Sequence, residues 1–316
     1  MFAAGIFERC PALFERFVQH APDYLRKRYE RTIRELPERV AKLTWQSIKG
    51  PGVCGATHPG AATVFSEAMR NPEPVFYNSD CLYVNPARKV FAVSDPPGIT
   101  DAARRLFGRL DEYLQEVSPD NIEAIIRKLD RETSANDRAT LSLVYIPDGR
   151  RDEALALVAG DTFLYHGNLS GKGLTPVTGS SAFIGRENAS LTMTSIGLAR
   201  GDFFIIASDG VLSIREAHAT MSLEDILIEY VNRCLEDFAF DVVNACNQCV
   251  ANGDPDTASA RFIGDDNVSV LLVFPEELAD VDGQASFILG GHIPASLKSS
   301  QPPAAGWPAP KNWSLY

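Results

Sequence analysis

The stretch FFIIASDG at residues 203–210 reads as a buried strand that ends on a bare carboxylate, Asp209. A carboxylate left unpaired against buried apolar surface costs free energy. The aspartate therefore either caps a turn or faces something positive. The arrangement recurs: Asp80 lies in YNSDCLYV, Asp95 ends KVFAVSDPPG, Asp161 sits in LVAGDTFLYHG, and Asp265 and Asp266 precede NVSVLLVF. Taken singly, each reads as a turn former, with Gly98, Gly160 and Gly210 close by to complete the turn. If these strand ends meet, the carboxylates repel one another unless cations intervene. Hard divalent ions such as Mg²⁺ or Mn²⁺ take oxygen ligands of this kind.

The elements between these motifs narrow the fold. LTWQSIKG reads as a strand, and GPGVCGATHPGAATV as a turn and a loop. VFYNSDCLYVN and KVFAVSD are short strands. TDAARRLFGRLDEYLQEV, with a Thr-Asp start and Ala103, Leu106, Leu110 and Leu114 on one face, is a helix, and PDNIEAIIRKLDRETS repeats the form. ATLSLVYI, then EALALVAGDTFLYHG bent at Gly160-Asp161, SLTMTSIGL and DFFIIASDG are strands. SLEDILIEYVNRCLEDF and FDVVNACNQCVANG are helices, and NVSVLLVF is the last clear strand. Strands outnumber helices and are mostly joined by short turns. That order favours an α+β fold, with antiparallel sheets and helices packed outside, over a βαβ array. At 316 residues and 45% hydrophobic content the chain can bury a large core.

Residues 3 to about 44 show apolar positions at helical spacing (Phe7, Leu13, Phe14 and Phe17, then Leu25, Tyr29, Ile33 and Leu36) with alternating charges on the other face. Residues 1–44 are therefore expected to form an N-terminal helical extension, an appendage or a surface for a protein partner. The last residues, 291–316, are rich in Pro, Ala and Ser and read as an extended or disordered tail. A net charge of -11 argues against nucleic acid and anionic membrane as partners. Charges come too early in MFAAGIFERCPALFERF for a signal peptide, and no apolar run approaches the roughly 18–20 residues of a membrane span. The expectation is a cytoplasmic protein, or one exported without such a signal. Cys246-Asn-Gln-Cys249 is a lone CxxC with helical flanks, read as ordinary reduced cysteines.

The order and context of the aspartates resemble the metal-dependent Ser/Thr protein phosphatases, the PPM or type 2C family. GDFFIIASDGVLS at 201–213 is similar to the family's GD-hydrophobic-SDG stretch, and GDDNVSVLLV at 264–273 to its DN-hydrophobic-[ST]-V strand. LVAGDTFLYHG at 157–167 is similar to its GDS turn, and FAVSDPPG and YNSD are reduced forms of its DGHGG and NED motifs. The resemblance runs from about Gly55 to Phe274 and, within a domain bounded at 45–290, implies a four-layer αββα sandwich: two antiparallel sheets face to face, flanked by paired helices. It further implies two Mn²⁺ or Mg²⁺ ions in a cleft at the sheet ends, with a third, weaker site. Asp95 would bridge both ions, helped by the backbone carbonyl of Pro96. Asp209 and Asp266 would hold one ion, and Asp80 would act on the other side through coordinated water. Asp161 with Asp209 would form the weaker site. Two ions about 3.5–4 Å apart lower the pKa of a bridging water and clamp a phosphoryl group. The implied activity is hydrolysis of phosphoserine or phosphothreonine in a phosphoprotein, with Asp80, Asp95 and Asp209 as the catalytic set.

Three positions depart from the family. PEPVFYNSD lacks the Arg that grips the substrate phosphate, Arg70 being too far back. Ser79 replaces an acidic residue, and Asp95-Pro96-Pro97-Gly98 lacks the His proposed as general acid, leaving His58 and His166 as nearby histidines. These losses define the alternative expectation: a weak or inactive phosphatase-fold protein that binds and regulates a partner.

Overall fold

The computed structural model describes residues 46–60, 63, 75–150, 152–171, 173–186, 191–218, 220–247, 249–251, 260–262, 264, 266–281, 285–291, 295–296 and 312–315. The expected N-terminal helical extension, Arg70 and Asp265 lie outside them.

Two antiparallel sheets carry the fold. Their strands, in chain order, are β1 (Gln46–Gly50), β2 (Val53–His58), β3 (Cys81–Asn85), β4 (Val90–Ser94), β5 (Leu141–Tyr145), β6 (Glu153–Ala159), β7 (Phe163–Asn168), β8 (Leu174–Pro176), β9 (Thr194–Gly197), β10 (Asp202–Ala207), β11 (Val268–Val273), β12 (Phe287–Gly290) and β13 (Ser314–Leu315). The seven-stranded sheet runs β13-β1-β2-β11-β10-β7-β8 and the six-stranded sheet β9-β6-β5-β4-β3-β12. The helices are α1 (Ala102–Tyr113), α2 (Ile122–Glu132), α3 (Leu223–Arg233) and α4 (Phe238–Cys246).

The central strands are apolar on both faces because both faces are covered. In β10, Phe204 and Ile206 meet Leu82, Val84, Phe91, Val93 and Leu271 between the sheets. Phe203 and Ile205, one residue out of phase, face Leu227, Val231, Phe238 and Val242 of α3 and α4. In the other sheet Tyr83 and Ala92 face Leu106, Phe107, Leu110, Ile126 and Leu129 of α1 and α2. Side chains alternate across a strand, so three cores stacked in this way give four layers, helices–sheet–sheet–helices. Helix α3 starts on a side-chain oxygen, Ser222 Oγ accepting the Asp225 N–H at 3.1 Å, and ahead of α1 Thr100 Oγ1 accepts the Ala102 N–H at 3.3 Å.

Three local expectations are corrected. VCGATH is a fully buried strand, β2, and not a loop. Its small residues fit a crowded place: a Cβ on Gly55 would meet Leu271 at 2.8 Å and Ile48 at 3.0 Å. The helical reading of FDVVNACNQCVANG holds only to Cys246, and Cys249–Ala251 pairs as a strand with Ala260–Phe262. Asn247 turns the chain there, its Nδ2 donating to the Val243 carbonyl at 2.8 Å. The far end of the Pro-rich segment is ordered: β13 pairs with β1, and Trp313 stacks on Phe287 with ring centroids 5.7 Å apart.

Candidate functional site

Asp80, Asp95, Asp209 and Asp266 converge where strands of both sheets end. Asp95 follows β4, and its backbone is fixed: its N–H donates to Thr140 Oγ1 at 2.8 Å and its carbonyl accepts the Thr140 N–H at 2.9 Å. Thr140 in turn packs on the Gly160 turn, where φ is +95° and a Cβ would lie 2.6 Å from the Thr140 side chain. This stacks the Asp161 turn beside the Asp95 turn. Pro96 is buried, while Pro97, Gly98 and Ile99 are exposed.

Asp80 enters from the other strand pair. It is 1% exposed. Its backbone carbonyl accepts the Gly291 N–H at 2.7 Å, and Gly290, at φ +79°, leaves only 2.1 Å between that carbonyl and a Cβ. Asn267 ties the neighbouring segments together. Its Oδ1 accepts the Ser79 N–H at 2.7 Å, and its Nδ2 donates to the carbonyls of Pro59 at 3.1 Å and Tyr77 at 3.2 Å. Asp209 opens the 3₁₀ turn Asp209–Ser213. A Cβ on Gly210 would lie 1.9 Å from the Asn267 carbonyl oxygen, so only glycine fits beside Asp209. Asp266 is exposed at the rim and receives the Asn267 N–H at 2.8 Å.

The electrostatics are those of crowded like charges. Burial, then the neighbouring Asp80, Asp209 and Asp266 carboxylates, push Asp95 up to about 10. Burial raises Asp80 to about 7 against a hydrogen bond from Ser208, with Asp266 and Asp209 adding to the rise. Burial and Asp266 raise Asp209 as well, and exposed Asp161 adds its charge. The groups acting most strongly on these three carboxyls are other carboxyls, a serine hydroxyl and a backbone amide; no ammonium or guanidinium is among them. Asp80 Oδ2 and Asp209 Oδ1 are buried with no hydrogen-bond partner among the described residues.

Among the described residues no group of three or more His, Cys, Asp or Glu is placed so that it could hold a metal ion as it stands. The carboxyls of Asp80, Asp95 and Asp209 crowd one another, and a shared proton or a cation relieves that repulsion. An all-oxygen, anionic donor set with buried unpartnered atoms suits a hard divalent ion.

The histidines and arginines lie apart from this chemistry. His58 is 7% exposed, accepts the Gly60 N–H on Nδ1 at 3.0 Å, and is lowered by burial to about 4, so it is neutral at pH 7. His166 is five residues along from Asp161, about 16 Å at the rise of a strand, and its Nε2 lies 3.0 Å from Asp202. The Arg104 guanidinium donates to the carbonyls of Ile288 at 3.3 Å and Gly290 at 2.9 Å. Arg105 pairs with Asp101 and Asp137. The hydroxyl and amide groups beneath the aspartates, Thr57, Asn78, Ser208 and Ser269, were not among the residues expected at the site. Only the SDG and DN motifs hinted at their place.

No protein-family model matches the chain, and no curated protein matches it in sequence. Solved structures match its architecture. PppA, a key regulatory component of T6SS in Pseudomonas aeruginosa, aligns at 16% identity with a TM-score of 0.50, over 72% of this chain and 98% of that one. The catalytic domain of the serine/threonine phosphatase PstP, in complex with 2 manganese ions, aligns at 14% identity and a TM-score of 0.49, over 72% and 97%. The SiaA-PP2C domain of Pseudomonas aeruginosa aligns at 16% and 0.47, over 85% and 98%. The sheet order and the four layers, with the PppA likeness, are those of a PPM/PP2C-like fold.

Proposed function

We propose that the chain is a metal-dependent phosphatase acting on phosphoserine or phosphothreonine in proteins. The observation that carries the reading is the convergence of Asp80, Asp95, Asp209 and Asp266, with no basic side chain among the strongest influences on Asp80, Asp95 and Asp209 and with two buried carboxylate oxygens, Asp80 Oδ2 and Asp209 Oδ1, lacking hydrogen-bond donors among the described residues. Such a cluster is costly as scaffold and suited to Mn²⁺ or Mg²⁺. Asp95, with the carbonyl of Pro96, would stand between two ions, Asp209 and Asp266 would hold one, Asp80 would serve the other, and Asp161 would contribute to a third. The ions would supply an activated water and neutralise the phosphoryl oxygens. The chain's own part is to hold that donor set still. Thr140 fixes the Asp95 backbone, Gly291 the Asp80 backbone, and Asn267 the three segments around them.

One observation favours a second reading, a phosphatase-fold protein that regulates a partner with little turnover. Arg104 and Arg105 are committed to carbonyls and carboxylates, and Ser79 stands where an acid is expected. Hydrolysis of a phosphothreonine peptide in Mn²⁺, Mg²⁺ and EDTA separates the two. Turnover that requires metal is expected for the phosphatase. Mn²⁺ binding without turnover would establish the regulator, and neither would sink both.

A further inference from the structure

Single exposed apolar residues are common on protein surfaces, so their positions carry the information. Among the described residues three large apolar side chains are exposed: Ile99 at 71%, Leu169 at 43% and Leu212 at 41%. Leu169 follows β7 at the end away from the carboxylates, where its N–H donates to the Gly201 carbonyl at 3.0 Å. The other two stand on the turns that carry Asp95 and Asp209.

Leu212 belongs to the 3₁₀ turn Asp209–Ser213. Such a turn repeats every three residues, so side chains at i and i+3 eclipse. Val211 and Ile214 form one such pair, both 0% exposed and packed in the core with α3 and α4. Asp209 and Leu212 form another, on the face turned away from that core. Leu212 therefore stands one turn beyond Asp209, about 6 Å along the axis.

Ile99 is presented by a loop held at both ends. Thr140 fixes the backbone of Asp95, and the Thr100 N–H donates to Ser79 Oγ at 3.2 Å, next to Asp80 in the chain. Pro96 and Pro97 restrict φ between these anchors. Gly98, at φ +82°, has nothing within 4 Å of the place a Cβ would take. Ile99 follows Asp95 by four residues, a reach of at most about 14 Å. An extended peptide advances about 3.3 Å per residue, so a residue held at the aspartates brings neighbours up to about four positions away within reach of Ile99 and Leu212.

We propose that Ile99 and Leu212 are specificity-determining residues: they form an apolar rim that receives an apolar side chain flanking the phosphorylated residue of a protein substrate. The inference rests on the reading of the site as a phosphatase centre and names its substrate class, phosphosites with apolar neighbours. The occupant follows from the place, since what covers both residues also lies over the carboxylates. Covering them removes apolar surface from water, which favours such a substrate.

The test uses two phosphothreonine peptides of equal length and charge, one with leucine and one with serine at the positions flanking the phosphothreonine. Their kcat/KM values in Mn²⁺ are compared for the wild-type chain, Ile99→Thr, Leu212→Gln, the double variant and Leu169→Gln. The wild type is expected to prefer the leucine peptide about 10-fold, the order of discrimination that an apolar contact supplies. Each rim variant is expected to lower that preference, the double variant to abolish it, and Leu169→Gln to keep it. Ile99→Ala and Leu212→Ala take the place of a rim variant that fails to fold. Equal rates on the two peptides in the wild type overturn the proposal. So does a preference that survives in the double variant, or one lost equally in Leu169→Gln. A wild type that hydrolyses neither peptide nor p-nitrophenyl phosphate sinks the phosphatase reading instead. Fluorescence anisotropy of the two labelled peptides with the same chains then decides the rim: a leucine preference in binding that the double variant loses keeps it, and equal binding, or none, removes it.

Discussion

Asp202 and Asp80 are nearly equally buried, at 5% and 1% exposure, and both sit at strand ends. Their surroundings are opposite. At the β7–β10 end of the molecule, Asp202 Oδ2 accepts the Ala199 N–H at 2.8 Å, Oδ1 accepts from Asn168 Nδ2, and His166 Nε2 lies 3.0 Å from Oδ2. Burial would raise this carboxyl, but those donors outweigh it and hold it below the usual range. At the cluster end Asp80 Oδ2 has no hydrogen-bond partner among the described residues, and burial lifts the carboxyl to about 7. Asp202 is an aspartate whose fold has supplied every partner it needs. Asp80 is one whose fold has withheld them, and a withheld counter-charge points to a ligand.

The comparison can be broken by mutation. Asp95→Asn and Asp209→Asn are expected to lower metal-dependent p-nitrophenyl phosphate hydrolysis by at least ~100-fold, as loss of a strong electrostatic group does, while Asp202→Asn keeps near wild-type kcat. Equal losses at all three would erase the distinction between the two ends.

Stability in EDTA at pH 8 should then move in opposite directions. Asp80→Asn removes a buried charge that is ionised at pH 8 among other carboxylates, and is expected to raise Tm. Asp202→Asn leaves buried donors without an acceptor and is expected to cost about 1–3 kcal/mol, with about 2–4 °C of Tm lost per kcal/mol in a domain of this size. Calorimetric scans check both signs.

The pH dependence sharpens the same contrast. A carboxyl whose folded pKa is raised favours folding below its unfolded value, about 3.9, and loses that contribution as pH rises through the folded value. The metal-free chain should therefore lose stability as pH rises from about 4 through about 7, where Asp80 ionises. Asp202 works the other way, and its contribution should fade as pH drops below about 4. Saturating Mn²⁺ should flatten the upper limb, adding about 2.7 kcal/mol at a hundred times Kd. Chemical denaturation across the pH range, with and without Mn²⁺, reads these slopes. Gly210→Ala is also expected to lose stability, at least about 1–3 kcal/mol, through overpacking against the Asn267 carbonyl.

Much of this arrangement was legible in the sequence because a strand with an aspartate at its exit leaves a local signature. The apolar runs at 90–94, 141–145, 202–207 and 268–273 and the α1 and α3 periodicities placed their elements correctly. β2 was not legible: Gly55 and Ala56 signal a loop locally, and only the crowding by Leu271, Ile48 and Leu82 accounts for small residues in a central strand. The strand at Cys249–Ala251 is fixed by pairing with Ala260–Phe262, which no local period reveals. The ordered end at Trp313 depends likewise on a distant partner, Phe287. At the site, the aspartates could be named, but Asp202 could not be told from Asp80 by composition. The difference lies in His166, Asn168 and the Ala199 amide, partners brought together only by the fold. No helix among the described residues is long and apolar enough to cross a membrane.

The central claim is that Asp80, Asp95, Asp209 and Asp266 form a cation site. Calorimetric titration of Mn²⁺ into the wild-type chain, Asp209→Asn and Asp202→Asn tests it most directly. The account predicts saturable binding to the wild type and to Asp202→Asn, and none to Asp209→Asn. Binding that survives Asp209→Asn unchanged, or no binding to the wild type, would contradict it.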